Sequence, residues 1–294
     1  MPGIGDFFKS MLDGGKVDVA RRYEWLREAT SGTMSDFHQA RDRKTGEVVG
    51  LKVLDKTKTE QLEARFRGLE KPTEGEIASR FDHPAIVQTL QHGLTTRGEQ
   101  YLVMEFLDGP GLNSLIIGRS PKLDGNRLTL MRQAAEALEV VHAAGFIHRD
   151  VCPRNFVCTK DADSLKLIDF GLTVPATKPF MLPGNRTGTP NYMAPEIVRR
   201  RATDHRVDVY AYGASMYEMF AFDLPWQRGA DGLAAMSHGV ATAPRLSGAC
   251  PWVHREIDAI VADCLENDPA KRPPSMQSVV NRLKRLRSER SDDG

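Results

Sequence analysis

A change in hydrophobic periodicity after residue 107 constrains the fold of this chain more than any other feature of its sequence. Before it, over about residues 23–106, apolar runs such as EVVGLKVL and EQYLVMEF are typical of strands, and RKTG is typical of a hairpin turn. After LDGPG, apolar residues recur at helical spacing in LMRQAAEALEVVHAAG, REIDAIVADCL and SMQSVVNRLKRL, and VDVYAYGASMYEMFAF is apolar on all sides. This order predicts an α+β, bilobal fold with a β-rich N-lobe, a helical C-lobe and a cleft between them.

The same patterns divide the 294-residue chain into four stretches. Residues 1–22 are expected to form an N-terminal extension, residues 23–107 the N-lobe, residues 108–287 the C-lobe and residues 288–294 a C-terminal tail. One charged helical stretch, roughly residues 59–81, is expected to interrupt the strands of the N-lobe. A short helix is predicted over residues 5–15, with a face that packs on the body of the protein or else docks a regulatory partner or a second copy. This apolar face consists of Phe7, Phe8, Met11 and Leu12.

Composition restricts the partners and the location of the protein. The net charge of +1 provides no field that would favour nucleic acid or an anionic membrane, so neither is expected as a partner. No apolar run is long enough to span a membrane, and the N-terminus does not resemble a signal peptide. The four cysteines are scattered and too few for a disulfide framework, which predicts a reducing, cytoplasmic location.

Two charged residues lie in or directly after apolar runs. Lys52 in VVGLKVL is either an edge lysine with its ammonium in water or a fixed cation for a phosphate. Asp169 in LKLIDFGL is either a turn residue or a carboxylate that binds Mg²⁺, a metal that prefers hard oxygen ligands. Neither residue decides between these interpretations alone.

The stretch HRDVCPRN, residues 148–155, adds an aspartate and an asparagine on one predicted loop. The spacing between Asn155 and Asp169 suits a hairpin, which would bring the two side chains together. Asn155 would then supply a second oxygen ligand, and Asp150 could accept a proton from a hydroxyl group. The pattern therefore suggests phosphoryl transfer.

Several motifs occur in a fixed order over residues 23–287. They are GLK, FDHPAIV, LVMEF, HRDVCPRN, IDFG, GTPNYMAPE, VDVYAYG and DPAKRP. Together they resemble the eukaryotic-type (Hanks-type) Ser/Thr protein kinase family. The resemblance implies a bilobal protein-kinase-like fold, ATP and Mg²⁺ as nucleotide and metal, and a protein substrate with a Ser or Thr acceptor.

The resemblance also implies roles for individual residues. Lys52 is expected to hold the α- and β-phosphates and to pair with Glu74, which has the expected spacing from the His83-Pro84 pair. Glu76 and Glu70 are the alternative partners, and all three glutamates could instead be surface residues.

The remaining roles concern catalysis, the metal and the adenine. Asp150 is expected to orient or deprotonate the acceptor hydroxyl, and Asn155 and Asp169 are expected to bind Mg²⁺. The residues implied to contact the nucleotide, besides Lys52, are Gly32, Phe37, Gly50, Met104, Glu105, Leu107 and Val157.

The phosphate-covering loop departs from the family pattern. In TSGTMSDF only the middle glycine, Gly32, is present, and Thr30 and Ser35 stand where glycines would let backbone N–H groups approach phosphate. Weakened nucleotide binding and a pseudokinase, acting as a scaffold, are therefore an alternative. Gly50 and Phe37 replace a usual Ala and Val, which either conserves the volume of a working pocket or reflects independent drift in an empty one.

The catalytic loop departs at Cys152, where Ser/Thr kinases of the family usually have a lysine. Arg154 is expected to supply the missing cation, as the corresponding residue of many tyrosine kinases suggests, or else to be a solvated loop arginine. Cys152 is either a packing residue or, beside Arg154, a thiol of lowered pKa that a small alkylating reagent would modify. GTPNYMAPE favours Ser/Thr over Tyr acceptors and places Thr189 beside Asp150.

Activation and support involve further charged residues. Arg149 is expected to pair with a phosphorylated activation loop. Asn185, at the usual position, cannot be phosphorylated, which leaves Thr187 or Thr177. Asp208 is expected to hold the backbone of the catalytic loop. Glu196 is expected to pair with Arg272, either as scaffold or as a surface pair, and these supports argue against a small-molecule phosphotransferase.

Overall fold

The computed structural model describes residues 15–28, 30–32, 34–184, 187–227 and 242–291. The helix expected over residues 5–15 lies outside these ranges except for its last position, and Asn185 lies outside them too. Contacts between Cα atoms divide the chain into two units. The first, here called the sheet unit, runs to Asp82 and resumes over Val87–Leu107. The second, called the helical unit, contains His83–Ile86 and the chain from Asp108 onward.

The sheet unit is built on an antiparallel sheet with the strand order β1-β3-β4-β6-β5, and β2 pairs with β3. Opposite residues share a face, so Lys52 lies on the same face as Phe37 of β3 and Leu102 of β6. The other face carries a core cluster that includes Tyr23, Leu51 and Tyr101. The strands are β1 Tyr23–Trp25, β2 Thr30–Ser31, β3 Ser35–Asp42, β4 Val48–Leu54, β5 Thr89–Leu94 and β6 Gln100–Glu105.

The helices of the sheet unit are α1 Val19–Arg22, α2 Lys56–Glu63 and α3 Glu74–Ala78. The expectation of one helical stretch over residues 59–81 is therefore wrong. A 3-10 turn, Ala64–Phe66, follows α2, and the chain then leaves the helical conformation. Gly68 has a φ of +79°, and Pro72 lacks a backbone N–H, so neither can continue a helix. Glu74 is consequently the first residue of a helix of only five residues.

The helical unit contains seven α-helices within the described ranges. The helices expected from the sequence are confirmed as α5, α7, α9 and α10, and residues 207–220 of α7 are all buried. None of the helices in the described parts of the chain has the length and apolar character needed to cross a membrane. The helices are α4 Leu112–Ile117, α5 Arg127–Ala143, α6 Pro195–Val198, α7 Arg206–Ala221, α8 Leu246–Ala249, α9 Arg255–Cys264 and α10 Met276–Leu283.

Short strands and the end of the chain complete the helical unit. The strands are β7 Phe146–Ile147, β8 Phe156–Cys158, β9 Leu165–Leu167 and β10 Val174–Pro175, with β8 paired to β9 and β7 to β10. Beyond α10, the described part of the expected tail packs against the unit. Glu289 is buried there, accepts a 2.9 Å hydrogen bond from the Gly125 N–H, and lies 3.5 Å from Nη1 of Arg127.

Candidate active site

An ion pair joins a strand to a helix in the sheet unit. Nζ of Lys52 in β4 lies 2.6 Å from Oε1 of Glu74 in α3, and the two side chains are 9% and 6% exposed. Glu76 instead accepts hydrogen bonds from Thr73, and Glu70 is exposed. Of the three candidate glutamates, Glu74 is the one that contacts Lys52. Both charges have been removed from water, so losing either partner would leave an uncompensated buried charge.

Three of the expected nucleotide residues lie together in the same unit. A Cβ added to Gly50 would lie 3.0 Å from the ring of Phe37 and 3.0 Å from Cγ of Met104. The Phe37 ring therefore fills the space that an alanine methyl group would need. The larger and the smaller residue are in contact, as a conserved pocket volume requires.

The other expected nucleotide residues lie on separate segments. The Gly32 N–H donates a 2.8 Å hydrogen bond to the Ser35 carbonyl at the turn between β2 and β3. Glu105 ends β6, and its carboxylate accepts from the Gln88 N–H at 2.8 Å. Leu107 is the last residue of the sheet unit. Val157 belongs to the helical unit and forms a bridge with Gly111.

Asp208 holds the first half of the catalytic loop, which is the role expected for it. Its carboxylate accepts hydrogen bonds from the backbone N–H groups of His148, at 2.7 Å, and Arg149, at 2.8 Å. Burial would raise the pKa of Asp208, but the hydrogen bond and the electrostatic interaction with His142 hold the pKa below its ordinary value. The carboxylate therefore stays ionised and fixes Arg149 in a left-handed conformation with a φ of 67°.

The Asp150 carboxylate is held from two sides. The side-chain amide of Asn155 donates to the Asp150 carbonyl at 2.7 Å and to Oδ2 at 3.0 Å. The N–H and the hydroxyl of Thr189 donate to Oδ1 at 2.9 and 2.7 Å, which confirms the expected position of Thr189. Gly188 permits this approach, because a Cβ there would lie 2.7 Å from the Arg149 carbonyl. Three hydrogen bonds therefore fix the orientation of the Asp150 carboxylate.

The hairpin of β8 and β9 brings Asn155 and Asp169 to the same end of two paired strands. Phe156 pairs with Leu167, and the Ile168 N–H donates a 3.0 Å hydrogen bond to the Asn155 carbonyl. The expected hairpin is confirmed. A carbonyl can only accept, so the amide NH₂ of Asn155 must face Asp150 and its oxygen must face away.

The donor set fits a hard cation. Asp169 has carboxylate oxygens, one of which accepts from the Gly171 N–H at 2.9 Å, and Asn155 presents an amide oxygen. Within the described ranges, no group of three or more His, Cys, Asp and Glu side chains could hold a metal ion. The candidate set therefore consists of a carboxylate and an amide. Mg²⁺ accepts mixed oxygen donors and keeps several waters, so this set suits it.

Residues 23–283 match the model of the protein kinase domain family. The chain belongs to the protein kinase family. The chain is 30% identical over 272 residues to "Serine/threonine-protein kinase 1" of Arabidopsis thaliana, a match that covers 91% of the chain and 31% of the relative. It is 29% identical over 290 residues to "Serine/threonine-protein kinase pkn3" of Myxococcus xanthus, covering 92% and 51%.

A human relative is similar to the same degree. The "Hormonally up-regulated neu tumor-associated kinase" is 30% identical over 261 residues, covering 87% of this chain and 35% of the relative. The kinase chain thus spans about a third to a half of the length of these curated relatives. The Hanks-type resemblance and the mixed α+β kinase fold are confirmed, and members of the family generally use ATP and Mg²⁺.

Cys152 of the kinase is a neutral packing residue. Its side chain is 1% exposed, and burial, with a smaller contribution from the charge of Asp150, raises its pKa to about 12. The expectation of a lowered pKa is therefore wrong. Arg154 is exposed and its Nη2 donates to Oγ1 of Thr189 at 3.2 Å, so its charge does not offset the burial of the thiol. Selective alkylation of Cys152 was expected from a lowered pKa, so the raised pKa removes the reason for that expectation.

Arg149 of the kinase has a partly satisfied guanidinium group. Its Nη2 donates to the Phe180 carbonyl at 2.5 Å and to Oγ1 of Thr203 at 3.3 Å. Its Nε and Nη1 are buried and have no hydrogen-bond partner among the described residues. Burial lowers the pKa of Arg149. Of the two threonines suggested for phosphorylation, Thr187 is buried and Thr177 is exposed.

The pair of Glu196 and Arg272 is structural and buried. Two hydrogen bonds of 2.7 and 2.8 Å join the carboxylate and the guanidinium group, whose side chains are 7% and 0% exposed. The guanidinium group also lies over the Tyr210 ring, 4.8 Å from its centroid. The scaffold interpretation is confirmed, and the alternative of a surface pair is wrong.

His142, the side-chain partner of Asp208, was not predicted from the sequence. Its Nε2 lies 2.8 Å from Oδ2 of Asp208. His142 is the last polar residue of α5 before Ala143, and α5 is otherwise buried along its apolar face. The requirement that a buried carboxylate have polar partners was the available signal, but it does not identify which residue supplies them.

Proposed function

We propose that this chain is an active protein kinase that transfers the γ-phosphoryl group of ATP, with Mg²⁺, to a Ser or Thr hydroxyl of a protein. The observation that carries the proposal is the Asp150 carboxylate, held by Asn155 on one side and Thr189 on the other. A binding module would gain nothing from orienting a carboxylate in this way. An enzyme that must present a base to a hydroxyl gains a fixed geometry.

Asp150 acts on the acceptor. Its Oδ1 already accepts two hydrogen bonds from Thr189, so the acceptor hydroxyl bonds to Oδ2 and is oriented there for in-line attack. Asp150 accepts the proton as the hydroxyl oxygen bonds to phosphorus. Asn155 donates to the same Oδ2 at 3.0 Å and limits its rotation.

Asn155 and Asp169 would hold the metal through amide and carboxylate oxygens. Mg²⁺, when bound, neutralises charge on the phosphate oxygens. Lys52 binds the α- and β-phosphates, and its 2.6 Å contact with Glu74 keeps the ammonium group in one orientation. Arg154 provides the cation that Cys152 lacks. The support for this role is its hydrogen bond to Thr189, the residue that also contacts Asp150.

ATP is recognised by residues with several different functions. Phe37, Gly50 and Met104 form an apolar contact for adenine, supported by their mutual packing. The backbone of Glu105 and Leu107 pairs with the edge of the base, and Val157 is a further residue proposed for adenine. Gly32 is the one glycine retained at the phosphate-covering loop, so ATP binds with lowered affinity.

The remaining parts of the proposal concern location and partners. We place the enzyme in the cytoplasm, because all four cysteines are buried free thiols and scattered along the chain. Residues 5–15 carry the apolar pattern that would pack on the body of the enzyme or bind a regulatory partner or a second copy.

A pseudokinase is the second candidate, and the glycine-poor loop is the observation that favours it. Purified protein with γ-labelled ATP, Mg²⁺ and a generic protein acceptor distinguishes the two. A kinase labels the acceptor on Ser or Thr and loses the labelling in Asp150→Asn. A pseudokinase gives the same background labelling in both proteins, and that result would reject the proposal.

A further inference from the structure

Helix α3 carries Glu74 but is too short to be stable by itself. It has five residues, and isolated helices of that length do not form in water. A capping box closes its first turn: Oγ1 of Thr73 accepts from the Glu76 N–H at 3.3 Å, and Oε2 of Glu76 accepts from the Thr73 N–H at 2.8 Å. The box satisfies the end of the helix but does not fix its distance from the sheet. Tertiary contacts must set that distance.

One such contact is between Gly75 of α3 and His92 of β5. A Cβ added to Gly75 would lie 2.5 Å from Cβ of His92, 2.6 Å from Cγ and 2.8 Å from Nδ1. Any residue other than glycine would force the helix and the strand apart. Gly75 has an ordinary helical φ, so it is required by space and not by its conformation. A helical glycine costs about 1 kcal/mol relative to alanine, a cost that the close packing must offset.

We infer that the contact between Gly75 and His92 sets the position of Glu74, so both are positioning residues for Lys52. Gly75 directly follows Glu74, so a shift of the backbone at one moves the other. An ordinary contact of 3.4 Å would require the helix to retreat by about 0.9 Å, which is 3.4 minus 2.5. The same retreat would lengthen the 2.6 Å contact of Glu74 with Lys52 beyond a good hydrogen bond.

The chemistry of His92 suits this contact. Its side chain is half-buried. Burial lowers the pKa of the ring, and the nearby charge of Glu76, which raises the pKa, has the smaller effect. The ring is therefore neutral at physiological pH. A cation would be repelled by the positive end of the α3 dipole, whereas a neutral imidazole packs against it without that cost. Ile77 and Ala78, which are fully buried in the same helix, hold α3 against the rest of the unit.

The first test compares two helical glycines in the intact chain. Gly75→Ala introduces the contact described above. Gly248→Ala, in α8, is the matched control, because a Cβ there meets nothing within 4 Å. We expect Gly75→Ala to lower kcat/KM for ATP on the order of a hundredfold, as a misplacement of this size does. Gly248→Ala should leave kcat/KM unchanged.

A second measurement follows Lys52 without any turnover. An amine-directed acylating reagent is applied in the absence of ATP, and mass spectrometry gives the rate of acylation at Lys52. A lysine that loses its carboxylate partner releases its proton more readily, so Gly75→Ala should acylate faster, on the order of tenfold, and resemble Glu74→Gln. A lower melting temperature with an unchanged acylation rate would mean a merely structural role and would overturn the inference.

Exchanging the two side chains provides the rescue. Gly75→Ala/His92→Gly moves the Cβ from the strand to the helix and removes the clash. We expect it to recover about tenfold of the lost kcat/KM, a coupling typical of residues in contact, and to restore slow acylation of Lys52. A double variant as impaired as Gly75→Ala would overturn the inference. The inference rests on the proposed kinase activity. If the wild-type protein transfers no phosphoryl group, that activity is rejected, but the acylation rates of Lys52 can still be compared among the variants.

Discussion

The hydroxyl group of Thr189 donates a 2.7 Å hydrogen bond to Oδ1 of Asp150. The same oxygen of Thr189 accepts from Nη2 of Arg154 at 3.2 Å. Thr189 is thereby bonded to both the proposed base and the proposed cation. The position of Asp150 thus depends on the conformation of the segment around Thr189.

This link predicts a different result for each of two substitutions at Thr189. Thr189→Val keeps the shape of the side chain but removes the hydroxyl donor, so Oδ1 of Asp150 keeps only the backbone N–H as a partner at residue 189 and is held less firmly. We expect kcat to fall about tenfold or more, in line with the contribution of a well-placed general base. Thr189→Ser retains the hydroxyl and should keep most of the wild-type kcat. Equal kcat values in both variants, measured with saturating ATP, would contradict the role of this hydrogen bond.

The proposed metal ligand Asp169 predicts loss of transfer without loss of the fold. Asp169→Ala should abolish labelling of an acceptor, and its melting temperature without ligands should match the wild type. The upward shift of melting temperature with ATP and Mg²⁺ should disappear, since the shift reports binding to the native state. Asp161→Ala is the control, because Asp161 is 88% exposed and lies in the turn between β8 and β9. Undiminished transfer in Asp169→Ala would rule out the assignment.

The buried pair of Glu196 and Arg272 predicts a large effect on stability. Arg272→Ala leaves a carboxylate buried without its partner, and the free energy of unfolding should fall by about 3–5 kcal/mol. Urea denaturation measures this directly. Lys284→Ala removes an exposed lysine 3.8 Å from Glu136, and it should cost at most about 1 kcal/mol. Similar losses in the two variants would show that burial does not distinguish the pairs.

The phosphate-covering loop predicts a separation of binding from chemistry. Thr30→Gly/Ser35→Gly restores glycines where backbone N–H groups would approach phosphate. We expect KM for ATP to fall with little change in kcat, the pattern of an interaction that is equal in the ground and transition states. Steady-state kinetics over a range of ATP concentrations checks this. An unchanged or higher KM would mean that the two hydroxyl groups already substitute for the glycines.

The sequence predicted the residues whose chemistry depends on a local pattern. Lys52 lies in an apolar run typical of a strand and is found in β4, and Asp169 lies after an apolar run that forms β9; their roles in the chemistry stay predictions. The break between α2 and α3 was not predicted, because a run of charged helix formers surrounds Gly68 and Pro72. The propensity of the surrounding residues favoured one helix, and Gly68 and Pro72 interrupt it.

The pKa of Cys152 and the contact between Gly75 and His92 could not be predicted for a related reason. Each depends on residues that are distant in the sequence, and burial is a property of the folded chain. Arg154 is near Cys152 in sequence, which suggested a lowered pKa. Desolvation in the fold has the opposite sign and is the larger effect.

The final prediction concerns the charge near the transferring phosphoryl group. Cys152 has a pKa of about 12, raised by burial from an ordinary value of 9.0, so it is neutral at physiological pH and supplies no cation. Arg154→Ala should therefore lower kcat about tenfold or more, or roughly 1.4 kcal/mol.

Cys152→Lys should partly rescue the Arg154→Ala variant, because Sγ of Cys152 lies 3.8 Å from the Thr189 hydroxyl and a longer side chain would place its ammonium group near the same oxygen. Arg285→Ala, an exposed arginine after α10, controls for loss of surface charge. A protonated, buried thiol also resists modification, because burial raises the pKa of Cys152 and leaves little of the reactive thiolate at pH 8. Iodoacetamide should then leave Cys152 unmodified in the native enzyme. Unchanged kcat in Arg154→Ala would show that Arg154 does not act where the lysine of the family acts. Rapid alkylation of native Cys152 would show that the thiol is not buried and protonated.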